Sequence, residues 1–322
     1  MRLVVLAAVI GLAAALTFGY LGRLHPALDS FAHFRLHIAA ALAVITPLLL
    51  LVRLWPEALF ALVLSVASTV QTIGSPFAGE SAAQAADGAV YRLLHMNLRY
   101  DNHTPEAALS LIGQMRPDVI TLVEVSEAWR QKLALLEASY PHRMICPPPS
   151  PIGGGAILSR RPFSGGSEPL CGDRGSFAHA KLDIGGRTVD VATLHLGWPW
   201  PFEQPWQLPM IEPMLAGVGE TAIIAGDLNA VPWSHTARRV ASAADATLLR
   251  GIGPTWLHGA LPGFFRPWIG LPIDNILTKG AVVARRAATT VPVGSDHLPV
   301  LLEFTLPVPE KQADILQAAL NE

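Results

Sequence analysis

The run 3–21 carries no charged side chain between Arg2 and Arg23, and this constrains the fold more than any other stretch. A helix over it, rising about 1.5 Å per residue, covers the ~30 Å hydrocarbon core of a bilayer. Two further apolar runs follow at 36–52 and 58–73, and Arg53-Leu54-Trp55-Pro56-Glu57 between them is a charged and aromatic turn of the kind found at a membrane interface. The reading is a transmembrane region over residues 1–73 with about three helices. A cleaved leader fits less well, since its apolar part usually ends within ~7–15 residues and a small-residue cleavage site follows. Three passes set the remainder on the side opposite the N-terminus. The arginines do not orient the region, because Arg2 and Arg53 balance Arg23 and Arg35.

Charged residues form 15% of the chain, below the usual ~25%, and the deficit lies at the front. Before Phe77 the charged side chains are Arg2, Arg23, Asp29, Arg35, Arg53 and Glu57, which leaves the rest with a net charge near −4. No basic footprint marks it as a chain that grips long nucleic acid by the backbone, although local patches escape this test. Residues 74–89 are small, polar and non-periodic and read as a flexible linker with a reach of roughly 20 to 25 Å. The domain expected beyond it spans 90–306, with a tail over 307–322.

Within 90–306 strand-like runs at 90–96 and 119–125 alternate with helical stretches, one opened by Thr104 with Pro105 at its first position and one at 128–138. Runs at 156–159, 178–184 and 188–196 follow, and Gly185-Gly186 between the last two signals a hairpin. Further runs at 221–225, 273–278, 281–289 and 298–304 bring the expectation to nine or ten strands in two packed sheets flanked by helices, an α/β fold. The chain's two cysteines, Cys146 and Cys171, are either a disulfide or two small buried residues. A domain outside the cytoplasm favours the bond.

Polar residues punctuate the C-terminal ends of these runs, where α/β sites collect: Asn97, Glu124 and His195. Alone, a terminal Glu reads as a rim residue and a lone His as a satisfied core residue. Gly226-Asp227-Leu228-Asn229 is stronger, because Asp and Asn two apart on an extended tip point the same way and can hold a water and a phosphate oxygen. Asp274 and the tract Ser295-Asp296-His297 then add two carboxylates and an imidazole. Hard oxygen ligands suit Mg²⁺ or Mn²⁺, and a carboxylate is the usual means of orienting a histidine.

Taken in order, these residues resemble the endonuclease/exonuclease/phosphatase superfamily, the deoxyribonuclease I-like group of nucleases, abasic-site endonucleases, inositol polyphosphate 5-phosphatases and neutral sphingomyelinases. The resemblance covers the whole of 90–306. It implies a four-layer α/β/β/α sandwich. With the apolar runs and the cysteine pair, the expectation is a membrane-anchored member of bacterial type, in the inner membrane with its catalytic domain on the periplasmic side. The resemblance implies that Asn97, Glu124 and Asp296 hold the metal, that Asp227 and Asn229 position and activate the attacking water, and that Asp274 orients an essential His297. His195 would bind phosphoryl oxygens or assist the leaving group. The usual Leu-Gln-Glu is Leu122-Val123-Glu124 here, which keeps the ligand, and no acidic partner for His195 is evident.

The expected function is a metal-dependent phosphoester hydrolase acting close to a membrane on a lipid-like or small phosphodiester. A nuclease of the same fold is the alternative, and an inactive membrane scaffold is disfavoured because every motif residue is present. No protein partner is implied. Two aromatic and proline clusters adjoin the motif residues, one holding Trp198 and Trp200 after His195, the other Phe265 and Trp268 before Asp274. They are expected to rim the mouth, either folded inward as a cap or exposed to a bilayer interface.

Overall fold

The computed structural model describes residues 2–74, 88–148, 150–165 and 168–307. Most of the linker expected at 74–89, and all of the tail expected at 307–322 except Pro307, lie outside the described residues. The chain opens with α1 (Arg2–Phe18), a short α2 (Pro26–Asp29), a 3-10 stretch at Ser30–Phe34, α3 (Arg35–Leu51) and α4 (Trp55–Ile73).

Two helical segments, Pro26–Leu51 and Trp55–Ile73, are long and apolar enough to cross a membrane, whereas Arg2–Phe18 is shorter. The expectation of about three spanning helices is corrected to that extent. The first run stops at Phe18 because Gly19 and Gly22 disfavour continuation, and the Arg35 guanidinium donates to the Gly19 carbonyl at the helix end. All three long helices pack together. Their interior holds Leu16, Leu42 and Leu49 together with the small residues Ala39, Ala58, Ala61, Ser65 and Ser68, while Val44, Leu51, Leu59, Phe60 and Val63 point outward. Ser65 Oγ donates to the Ala39 carbonyl across the α3/α4 contact at 2.7 Å.

The remainder carries twelve strands among the described residues, in two six-stranded sheets. The first sheet is built from β1 (Val90–Asn97), β2 (Val119–Val125), β3 (His142–Ile145), β4 (Gly154–Ser159), β11 (Val283–Thr289) and β12 (Val300–Thr305), in the order β11-β12-β1-β2-β4-β3. The second is built from β5 (Leu170–Gly172), β6 (Phe177–Asp183), β7 (Thr188–His195), β8 (Ala222–Asp227), β9 (Thr247–Leu248) and β10 (Asp274–Lys279), in the order β5-β6-β7-β8-β10-β9. The expected count was nine or ten. The extra strands β3, β5 and β9 are two to four residues long and not fully buried, so no apolar run announces them.

Leu93, Ile157, Val191, Ile223, Ile276 and Phe304 form the core between the sheets. On the outer face of the first sheet Leu94, Met96 and Ile120 pack with α5 (Pro105–Met115) and α6 (Glu127–Leu133). On the outer face of the second, Leu194 and Ile224 pack with α7 (Gln204–Ala216) and α8 (His235–Ala244). The layers are therefore α/β/β/α. No helix was expected in the stretch after His195, yet α7 forms there and contains Pro209 and Pro213. Its buried stripe Gln204, Gln207, Leu208, Ile211 and Leu215 keeps helical spacing, and burial of that stripe outweighs the proline cost.

Cys146 and Cys171 place their sulfurs at disulfide distance, 2.13 Å apart.

Candidate active site

Alternation along the strands delivers the polar residues to one place. Because Leu93, Val191, Ile223 and Ile276 face the inter-sheet core, residues an even number of steps away face it too. That rule directs His95 and Asn97 on β1, His195 on β7, Asp227 on β8 and Asp274 on β10 toward the space between the sheets. Strand pairing then aligns three of them, with His195 opposite Asp227 on β7 and β8 and Asp227 opposite Asp274 on β8 and β10. Gly226 permits this register, since a Cβ there would stand 2.1 Å from the Leu194 carbonyl oxygen.

Glu124 breaks the alternation. The β2/β4 register slips between Leu122 and Val125, and Glu124 itself takes a left-handed φ of 58°. This bulge re-aims a side chain that would otherwise lie on the outer face. Its carboxylate accepts from Asn97 Nδ2 at 2.9 Å and from the Tyr100 amide at 3.0 Å. Asn97 Nδ2 also donates to Asp227 Oδ2 at 3.0 Å, tying the two sheets together. His195 Nε2 lies 3.7 Å from Asp227 Oδ2 and 3.9 Å from Glu124 Oε1. Asn229, in a left-handed turn with φ 45°, donates its amide to Asp227 Oδ1 at 2.8 Å and its side chain to the Leu196 carbonyl.

His297 completes the cluster, its Nδ1 2.8 Å from Asp274 Oδ2 and its Nε2 3.6 Å from Asp227 Oδ2. The Ser295 hydroxyl accepts from the His297 amide, and the Thr255 hydroxyl accepts from the Asp274 amide. Burial pushes the Asp227 carboxyl above the usual carboxylate range, with the charge of His297 opposing and that of Asp274 adding to it. Burial acts on Asp274 in the same sense, but the charge and hydrogen bond of His297 outweigh it and hold that carboxylate below the usual range. Burial alone would lower His297, whereas the charges of Asp274 and Asp227 raise it to about 10. The His297 ring thus sits between two carboxyl groups that favour its charged form.

Asp296 stands apart from the other residues expected to hold metal. Its carboxylate accepts from Trp256 Nε1 at 3.1 Å, and among the described residues it makes no hydrogen bond to Asn97 or Glu124. One ligand atom each from Asp227, Asp274 and His297 fall within 4.8 Å of one another, a second grouping with the spacing of a cation site. The imidazole of that trio is already bonded to one of its carboxylates. Glu124 Oε1 and Asp227 Oδ2, by contrast, converge on the single neutral amide nitrogen of Asn97. Two carboxylates sharing one neutral donor fit a hard divalent cation better.

His95 was not singled out from the sequence. It is 1% exposed, with Nδ1 3.1 Å from Thr121 Oγ1 and Nε2 3.5 Å from Asp274 Oδ1, so Asp274 lies between two imidazoles. The available signal was its position two residues before Asn97 on one strand. The aromatic residues expected at the rim are exposed, Trp198 by 60%, Trp200 by 45%, Phe265 by 38% and Trp268 by 79%, so they do not fold inward as a cap. Arg266, between the last two, donates to the carbonyls of Asp296 and Thr255, which ties this rim to the site.

The sequence profile of the Endonuclease/Exonuclease/phosphatase family matches residues 94–297, the span that contains every residue of this cluster. The chain belongs to that family. It is therefore a phosphoester hydrolase. No curated protein matches the chain in sequence. Solved structures agree with the family in fold. The endonuclease/exonuclease/phosphatase from Bacteroides vulgatus is 16% identical with TM-score 0.54, covering 68% of this chain and 99% of its own. D. rerio TDP2 complexed with single strand DNA product is 20% identical with TM-score 0.53, over 67% and 99%. A double mutant of beta toxin from Staphylococcus aureus with bound magnesium ions is 16% identical with TM-score 0.52, over 67% and 100%.

Proposed function

We propose that this family member is a divalent-metal-dependent phosphodiesterase that works at a membrane surface on a lipid-like or small phosphodiester. The observation that carries the chemistry is the chain Glu124, Asn97, Asp227, His297, Asp274, buried except at Glu124, in which neighbours lie 2.8 to 3.6 Å apart. Glu124 and Asn97, with Asp296 at the edge, would hold Mg²⁺ or Mn²⁺. The bound ion supplies Lewis-acid polarisation of a non-bridging phosphoryl oxygen. Asp227, its carboxyl raised by burial, accepts the proton of the attacking water, which Asn229 helps to position. His297, kept charged by Asp274, donates toward the oxygens where negative charge grows. His195, partly exposed beside Glu124 and Asp227, faces phosphoryl oxygens or the leaving group.

The membrane reading is supported by the α3/α4 contact, where Ala39, Ala58, Ala61, Ser65 and Ser68 lie inside beside Leu42 and Leu49 while Val44, Leu51, Leu59, Phe60 and Val63 face outward, as helices in lipid do. The α1–α3 connection touches the hydrolase domain, and the Tyr20 hydroxyl at its start lies 2.9 Å from the Ser68 hydroxyl in the last part of α4. The exposed aromatic rim suits the same interface. The Cys146–Cys171 pair favours placing the domain outside the cytoplasm, in a bacterial-type inner membrane with a periplasmic catalytic domain. A nuclease is the second reading, and D. rerio TDP2, similar in fold, was solved with a DNA product. The full chain in detergent, supplied with Mg²⁺, should be assayed side by side on phospholipids, bis-p-nitrophenyl phosphate, plasmid DNA and RNA. Preference for DNA or RNA would replace the first reading by the second.

A further inference from the structure

We propose that the loop between α1 and α3 is part of the active-site wall, with Asp29 and His33 as positioning residues for the Asp227–Asn229 turn. The inference rests on the hydrolase reading for its catalytic consequence, while the contact itself stands on geometry. Asp29 is 5% exposed and its carboxylate accepts from the amides of His235 and Thr236 at 2.6 and 2.9 Å. Those amides are the free N-terminal donors of α8, where a carboxylate also meets the positive end of the helix. The segment between the catalytic turn and that helix, residues 230–234, is thereby pinned at its far end.

His33 pins the near end. It is 6% exposed, and its Nε2 lies 3.1 Å from the carbonyl oxygen of Asn229, which also accepts from Gln204 Nε2 at 3.2 Å. His33 Nδ1 lies 3.1 Å from the Ser30 carbonyl, so the ring bridges its own loop and the catalytic turn. Between these two polar contacts Ala32 is fully buried against Val231, Leu271 and Ile273, and its carbonyl accepts from Trp233 Nε1 at 2.7 Å. Asn229 holds a left-handed φ of 45°, which asparagine tolerates at small cost and which its surroundings help to fix. The loop that links two apolar helices supplies part of that restraint, directly behind the amide that donates to Asp227 Oδ1.

The test uses the full-length chain in detergent micelles at saturating Mg²⁺, comparing the parent with Asp29→Ala, His33→Ala and His33→Gln, whose amide nitrogen stands close to where Nε2 stood. With bis-p-nitrophenyl phosphate, His33→Ala should lower kcat at least ~5-fold with KM within ~2-fold, and His33→Gln should recover most of the loss. Amide exchange across residues 226–237 should quicken at least ~10-fold in both alanine variants, while exchange in β2 and β12 stays as in the parent. A kcat loss in His33→Ala that only tracks a loss of folded protein, and that His33→Gln does not recover, overturns the positioning role. Unchanged exchange across 226–237 in both alanine variants overturns the docking. If the parent hydrolyses no phosphoester, the hydrolase reading fails by itself, and the exchange measurement still decides whether the loop holds the turn.

Discussion

In the N-terminal helices Ala39, Ala58, Ala61, Ser65 and Ser68 lie inside, while Val44, Leu51, Leu59, Phe60 and Val63 face out. In the hydrolase domain Leu93, Ile120, Val191, Ile223 and Phe304 lie inside. The α3/α4 contact is thus made largely by small residues beside Leu42 and Leu49, the pattern expected of helices in lipid, whereas the hydrolase domain draws large apolar groups inward as water drives it to. The hydrolase domain departs from its own rule in two places. It buries Asp227, Asp274, His95 and His297, and it exposes Trp198, Trp200 and Trp268. Burying charges is costly unless they are paired and used, and exposed aromatic clusters mark contact surfaces.

The sharpest way to break this comparison is to remove the buried charges singly. Asp227→Asn and His297→Ala should each lower kcat by about 10³-fold or more, with near-parental circular dichroism, if the cluster serves chemistry. Activity within tenfold of the parent would make it a structural network instead. Next in size come paired packing tests. Ile223→Ala should destabilise the hydrolase domain by ~2–5 kcal/mol through a cavity. Ala61→Leu should destabilise the bundle by ~1–3 kcal/mol through overpacking. Thermal unfolding in micelles, followed separately for the two regions, checks both; a stabilised bundle in the Ala61 variant would show that it packs by the rule of water.

Glu124→Gln should move the Mg²⁺ concentration for half activity upward by roughly 10-fold, since a charge leaves the cation's surroundings. An unchanged titration would leave Glu124 as a rim residue. For the exposed rim, the double substitution Trp200→Ala and Phe265→Ala should reduce turnover of phospholipid in vesicles ~3-fold or more relative to a soluble diester. An equal effect on both substrates would remove the interfacial role.

The smallest effect is in pH. His297 is raised to about 10 in the folded protein, so the stability its pairing lends is complete below the ordinary histidine value of ~6.5 and fades as pH rises toward 10. In EDTA-treated protein the thermal midpoint of the parent, measured against His297→Asn, should fall steadily between those limits. A constant difference would place the pair's contribution outside titration.

Much of the site was legible because strand alternation and the order of its motifs are local properties. Asn97, His195 and Asp227 end recognisable apolar runs, Asp274 opens one, and the fold follows from where those runs pair. The bulge at Glu124 was not legible, since the register slip against β4 depends on a partner strand some 30 residues further on. Nor was α7, whose prolines argue against a helix until Leu208, Ile211 and Leu215 find the sheet. Asp29 and His33 gave no signal at all, because their partners are remote and neither sits in a periodic run.

That remoteness has a consequence for biogenesis. The contacts of Asp29 and His33 join residues 196 to 207 positions apart. At ~5–20 residues per second of synthesis, roughly 10 to 40 s separate the appearance of His33 from that of Asn229. During that interval the two polar side chains stay hydrated on a loop already placed between apolar helices. Their docking waits on synthesis of the catalytic turn and the start of α8. A product stalled before α8 would therefore keep this loop undocked and open to proteases.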